Sequence, residues 1–242
     1  MNIVFLLAGS SQSFYEEGYK YPKPMIEING EMIISKVINN IKPIFSRANK
    51  IIFMILEEDD NKFHITNIIK LLVPDAKVIK VKNETSGAAC TALLAIEDIS
   101  NKEQLLITSG DHLIDHDLEK VIDYFSDSNC DGGTITFNSI HPRFSYVKIS
   151  NNNKILETSE KIPISNNATA GFYFYSHGED FVENAKKMIL KGSEVNGNYY
   201  VCPVFNEMIL SGKEITSYEI NSENYHSLMS VELLENYKNS ME

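Results

Sequence analysis

Up to residue 125 the chain alternates short β-branched apolar runs with stretches of helical periodicity, and nothing else in it restricts the fold as strongly. Residues 3–7, 51–56, 77–82 and 104–109 read as buried strands. Between them apolar residues recur at helical spacing over 31–45, 62–73 and 88–99, and 117–125 reads as a further helix. Strands that alternate with helices pair in parallel through crossovers, which places helices on both faces of the sheet. The expectation is an α/β fold of three layers, α/β/α, around a mixed, mostly parallel sheet.

After residue 125 the rhythm becomes mostly β. Residues 134–138, 145–149, 154–160 and 169–175 read as strands, with Asn151-Asn152-Asn153 as a hairpin turn. Helices over 179–190 and 204–210, a strand over 214–220 and a helix over 230–237 close the chain. No linker or repeat divides it, so residues 1–242 are expected to form one domain. Residues from about 132 to 175 would then be a β-rich insertion of that domain, covering the crevice of the sheet.

In an open α/β sheet, ligands bind at the carboxyl ends of the strands. Residues 3–7 empty there into Leu7-Ala8-Gly9-Ser10 and then a polar stretch that reaches Ser13. Small residues at a strand end let backbone N–H groups approach a phosphate. The chain returns through Pro22-Lys23-Pro24 to a short extended run, 25–28, and Lys23 held between prolines can reach the same phosphate. The other reading of Lys23 is a surface lysine between turn prolines. Residues 104–109 run out into Gly110-Asp111, where a carboxylate can hold a metal or cap the next helix. A third loop, Glu84-Thr85-Ser86-Gly87, leads into a helix opened by Ala88, the loop–helix arrangement that binds anions. The loop around Asn196 and the adjacent Tyr199 and Tyr200 suits an acceptor or subunit contact, which leaves a homo-oligomer open.

The formal net charge of −11 argues against nucleic acid or an anionic membrane as partner. With only Arg47 and Arg143 as arginines, phosphate recognition would rest on lysine, backbone amides and a metal. Three scattered cysteines point to a reducing compartment, no apolar run nears the roughly 20 residues of a membrane span, and the first residues lack a basic leader, so a soluble cytoplasmic protein is expected.

Taken in order, LLAG, GYKYPKPMIEING, ETSGAACTALLA, LLITSGDHLID and ETSEKIP followed by ATAGFYFY resemble the sugar-nucleotide pyrophosphorylases, nucleotidyltransferases of a GT-A-like, Rossmann-like fold. The resemblance covers residues 1–175. It implies an enzyme that joins an NTP to a small phosphorylated acceptor, releases pyrophosphate, depends on Mg²⁺ or Mn²⁺, and serves nucleotide-sugar and surface-polysaccharide synthesis. By the same resemblance Lys23 contacts the reacting phosphates and Asp111 holds the metal. Glu84, Thr85, Gly87 and Ala88 read the base, while Glu160, Lys161 and Gly171 face the acceptor; Glu160 otherwise reads as an exposed strand carboxylate. The chain departs from the family pattern in two places. Ser11 and Ser13 stand at the glycine and arginine of the signature loop, with Lys20 or Lys161 as candidate substitutes for the arginine. Ser227 falls where a second metal aspartate would lie, beside His226, a candidate metal ligand as a late histidine is in some GT-A glycosyltransferases. Two alternatives stand beside the nucleotidyltransferase: a GT-A glycosyltransferase using a nucleotide-sugar donor, and a catalytically weakened relative that only binds nucleotide.

Overall fold

The computed structural model describes residues 1–241. Strand β1 (Asn2–Leu6) is followed by helix α1 (Gln12–Glu16) and a 3₁₀ turn at Lys23–Met25. The hairpin of β2 (Glu27–Ile28) and β3 (Glu31–Met32) leads into α2 (Ile33–Ile41). The extended run and the helix expected over 25–28 and 31–45 are therefore both shortened. Asn29 and Gly30, at φ 52° and 80°, make the tight turn between β2 and β3, and Lys42–Arg47 continues α2 as 3₁₀ helix.

Strand β4 (Lys50–Leu56) precedes α3 (Glu57–Phe63), α4 (Ile65–Leu72) and β5 (Lys77–Val81). The single helix expected over 62–73 is instead two, broken at His64, whose φ of 56° is left-handed. Asp60 explains the break: its buried carboxylate accepts the Thr66 N–H at 2.6 Å, capping α4 from outside, and pairs with Lys80 at 2.7 Å. The helix expected over 88–99 also divides, into α5 (Ala88–Leu93) and α6 (Ile96–Ile99).

Strand β6 (Leu105–Ser109) and short β7 (His112–Ile114) precede α7 (Leu118–Asp127), capped by Asp117. Strands β8 (Gly132–Asn138), β9 (Ser145–Ile149), β10 (Ile155–Glu160) and β11 (Asn167–Tyr175) follow, then α8 (Gly178–Leu190) and α9 (Val204–Leu210). Strands β12 (Ile215–Glu219) and β13 (Tyr225–Ser227) and helix α10 (Val231–Asn239) end the described chain.

The main sheet has nine strands. Parallel β6-β1-β4-β5 run from its middle to one edge, and β11 joins β6 antiparallel, in register Phe172↔Thr108. Residues 132–175 extend this sheet through β8, β9, β10 and β11. Strands β8 and β11 pair along most of their length, and Val147 and Ile155 of the β9–β10 hairpin share one apolar cluster with Tyr173, Phe205 and Ile215. Alternation in β1 sends Ile3 and Phe5 into one core and Val4 into the other, so both faces are covered, as the three-layer expectation requires. No described helix is long and apolar enough to cross a membrane.

Candidate active site

The carboxyl ends of β1 and β6 open into a cleft of about 260 Å³. Three sequence-predicted segments meet in it: Leu7, Ala8, Gly9 and Ser10 after β1; Glu84, Thr85, Gly87 and Ala88 at the start of α5; and Gly110 and Asp111 after β6. Lys23 completes the set and is the one cationic side chain on the wall among the described residues.

Its ammonium donates to Asp111 Oδ2 at 2.6 Å, with the two side chains only 13% and 22% exposed. Burial works to raise the Asp111 carboxyl, but the charge and hydrogen bond of Lys23 outweigh it and hold the group below its ordinary value. The backbone beneath the lysine is fixed. Ser11, 5% exposed, accepts the Lys23 N–H on its hydroxyl at 2.9 Å, while the Lys23 carbonyl accepts the Ile26 N–H at 3.2 Å. Ser11 thus anchors the lysine.

Two glycines are explained by close packing. Gly110 donates its N–H to the Leu6 carbonyl at 3.0 Å, and a Cβ there would lie 2.1 Å from Leu7 Cδ2, so β1 and β6 can end together only over a glycine. Gly87 has φ 108°, and a Cβ would lie 2.4 Å from the Tyr199 carbonyl oxygen. The close neighbour is therefore the protein's own backbone. Tyr199 donates to the Ser86 carbonyl at 2.7 Å and accepts the Ala89 N–H at 3.0 Å, which stitches residues 195–200 to the loop before α5.

Several predicted residues lie elsewhere. Ser13 is exposed on α1 and off the cleft wall; Lys20, beyond that helix, is also exposed and off the wall. Lys161, at φ 59°, donates to the Tyr200 hydroxyl at 2.7 Å and is likewise off the wall. Glu160 is buried at 5% exposure, not an exposed strand carboxylate; it accepts a short hydrogen bond from the Ser145 hydroxyl, and burial raises its carboxyl above the ordinary value. Gly171 lies in an irregular stretch of β11 at φ 70°, where a Cβ would come within 3.1 Å of the His112 ring and Ser109 Oγ. Asn196 is exposed in the tight turn of the 195–198 hairpin, at φ 52°. His226 meets Asp115 at 2.9 Å, whereas Ser227, its neighbour on β13, lies opposite His112. Alternation along that strand turns the two side chains to opposite faces.

Thr91, Ser109, Pro24 and Asn198 also line the cleft, unforeseen from sequence. Thr91, on α5, shares a hydroxyl contact at 2.7 Å with Thr85, six residues earlier in the loop before that helix. Asn198 arrives only through the Tyr199 stitching. His112, buried against Thr108 and Gly171, is lowered by desolvation to about 4, so it is a neutral ring at physiological pH.

A mixed sheet with its cleft at the carboxyl ends of the central parallel strands defines the Rossmann-like class of α/β proteins. Within that class the chain belongs to the nucleotidyl transferase family, whose profile it matches over residues 3–200. It is 26% identical over 216 residues to the bifunctional protein GlmU of Methanococcus aeolicus, a match that takes in 81% of this chain and 49% of the relative, so the chain spans about half the length of that curated protein. Among solved structures, a nucleoside-diphosphate-sugar pyrophosphorylase from Vibrio cholerae superimposes with a TM-score of 0.84 at 21% identity, over 98% of this chain and 99% of its own. A putative glucose-1-phosphate thymidylyltransferase from Bacillus anthracis gives 0.78 at 17% identity, over 100% and 94%. The inositol-1-phosphate CTP transferase of T. maritima gives 0.76 at 15%, over 99% and 94%.

Proposed function

We propose that this nucleotidyl transferase joins an NTP to a small phosphorylated acceptor, a sugar phosphate or similar polyol phosphate, and releases pyrophosphate. The observation that carries it is the Lys23–Asp111 pair, 2.6 Å apart where the β1 loop, the α5 entry and the end of β6 converge. The names of the three structural neighbours support a phosphorylated acceptor, and a nucleotide-sugar or related precursor for surface polysaccharide is the product class in keeping with them.

An acceptor phosphate oxygen attacks the α-phosphorus in line, the bond from that phosphorus to the β-phosphate bridging oxygen breaks, and pyrophosphate leaves with the electron pair. Backbone N–H groups at Ala8, Gly9 and Ser10 cradle the nucleotide phosphates, and the Lys23 ammonium offsets charge that builds on them. Glu84, Thr85, Gly87 and Ala88 face the base. Glu160, Lys161 and Gly171 stand on the acceptor side, with the Tyr200 hydroxyl holding Lys161 in place.

The donor set fits a hard divalent cation. Magnesium keeps most of its waters and takes one or two carboxylates together with substrate phosphate oxygens, and Asp111 supplies one carboxylate at the strand end. When bound, Mg²⁺ or Mn²⁺ would neutralise charge on the α-phosphate oxygens and the leaving group.

Pyrophosphate release, measured with each of the four NTPs against a panel of sugar, polyol and aminoalcohol phosphates, tests the proposal. One pair should give release that requires both substrates. Release from no pair, while an intact nucleotide-sugar is bound or consumed, would overturn it in favour of a glycosyltransferase or a nucleotide binder.

A further inference from the structure

We propose that Lys23 is the built-in counter-ion of Asp111, so that the nucleotide-free protein offers no divalent-cation site and acquires one only when phosphates draw the lysine away. This deepens the nucleotidyl transferase proposal and rests on it for the role of Asp111.

The Lys23 ammonium occupies the carboxylate at 2.6 Å, and both side chains are largely shielded from water. A cation approaching Asp111 meets a positive charge already there. For the ion to bind, the ammonium must leave, and it must then find another anion, because a shielded lysine without a partner is costly. The cleft wall supplies only one other carboxylate among the described residues, Glu84, which lies exposed on the α5 entry loop. Nucleotide phosphates supply what the protein lacks. They accept the ammonium and bring oxygen ligands for the metal in the same event.

The lysine is built to move without its backbone moving. Pro22 and Pro24 fix the chain on either side, and Ser11 holds the Lys23 N–H at 2.9 Å. Only the side chain needs to turn from carboxylate to phosphate. No second cationic side chain lines the cleft to compete for Asp111 among the described residues.

The consequence is an order of binding. Metal enters with the nucleotide, and removal of the lysine charge should create a metal site in the free protein, because a shielded carboxylate left unpaired takes up whichever cation is present.

Titration of the full chain with Mn²⁺ alone at about pH 8, where a carboxylate stays ionised, read by electron paramagnetic resonance, tests this. Wild type should show no saturable site below the millimolar range, while Lys23→Met should gain a one-to-one site at least about tenfold tighter, a change of about 1.4 kcal/mol. Lys23→Arg should gain none, and Lys23→Met combined with Asp111→Asn should lose what the single variant gained. Circular dichroism checks that each variant is folded, and Lys23→Ala serves in place of Lys23→Met if that one is not. Wild type binding Mn²⁺ as tightly as the variant, or a folded Lys23→Met without a new site, would overturn the proposal. These outcomes are read without turnover, so they are distinct from a failure to find any reactive NTP–acceptor pair.

Discussion

Ser11 shows how one hydroxyl can set the position of a charged side chain. The Lys23 N–H has no partner within its own 3₁₀ turn, and the buried Ser11 hydroxyl accepts it. Ser11→Ala should cost about 1–3 kcal/mol for the orphaned donor, read by urea unfolding, and Ser11→Thr should restore most of it. Gly87→Ala places a Cβ against the Tyr199 backbone at a left-handed φ of 108°, so it should destabilise by at least about 2 kcal/mol, the upper part of the range for such strain. Glu160 carries a pH dependence. Burial raises its folded carboxyl, so the native state keeps the proton to higher pH than the unfolded chain does. Its contribution to stability is full below the unfolded value and is lost as pH rises through the raised one. The unfolding free energy of wild type minus that of Glu160→Gln should therefore fall as pH rises from the ordinary glutamate range, about 4.3, through the raised folded value; a flat difference would contradict the assignment.

Elements were legible from sequence where one local pattern decided them. Strands β4, β5 and β6 and helix α9 fall at or within a residue of the ranges that periodicity sets. Helix breaks at His64 and Leu94 were not legible, because the deciding contact at the first is Asp60 with Thr66 and Lys80, a partnership no spacing rule announces. Edge protection was equally hidden. The exposed side of β10 is closed by Asn206 from α9, whose amide accepts the Thr158 N–H at 2.8 Å and donates to the Thr158 carbonyl at 2.9 Å, as a neighbouring strand would. Asn206→Ala should cost about 1–3 kcal/mol and promote concentration-dependent association, checked by urea unfolding and light scattering. Unchanged stability and a concentration-independent mass would show that the amide does not guard this edge.

Across the whole molecule the cleft joins parts of different legibility. The β1 loop, the loop before α5 and the end of β6 were readable because each is a strand or helix end followed by small residues, and the sheet topology brings all three to one crest. Asn198 and the bracing of Lys161 by Tyr200 were not, since both depend on residues 195–200 folding back onto α5 and β10 across more than a hundred and about forty residues of chain respectively. Ser13 and His226 were named from the family resemblance alone; neither is among the residues lining the cleft, and His226 meets Asp115 instead. With no arginine on the wall among the described residues, Lys23 is its one cationic side chain, and it is paired with Asp111. The most direct measurement is therefore pyrophosphate release at saturating substrates, for the most active NTP–acceptor pair, in wild type, Lys23→Ala and Asp111→Asn. Turnover should fall by about 10²–10³-fold in each variant, as it does when one preorganised charge-stabilising group is removed, with nucleotide affinity changed far less. Turnover unaltered in a folded Lys23→Ala would contradict the central role given to this pair.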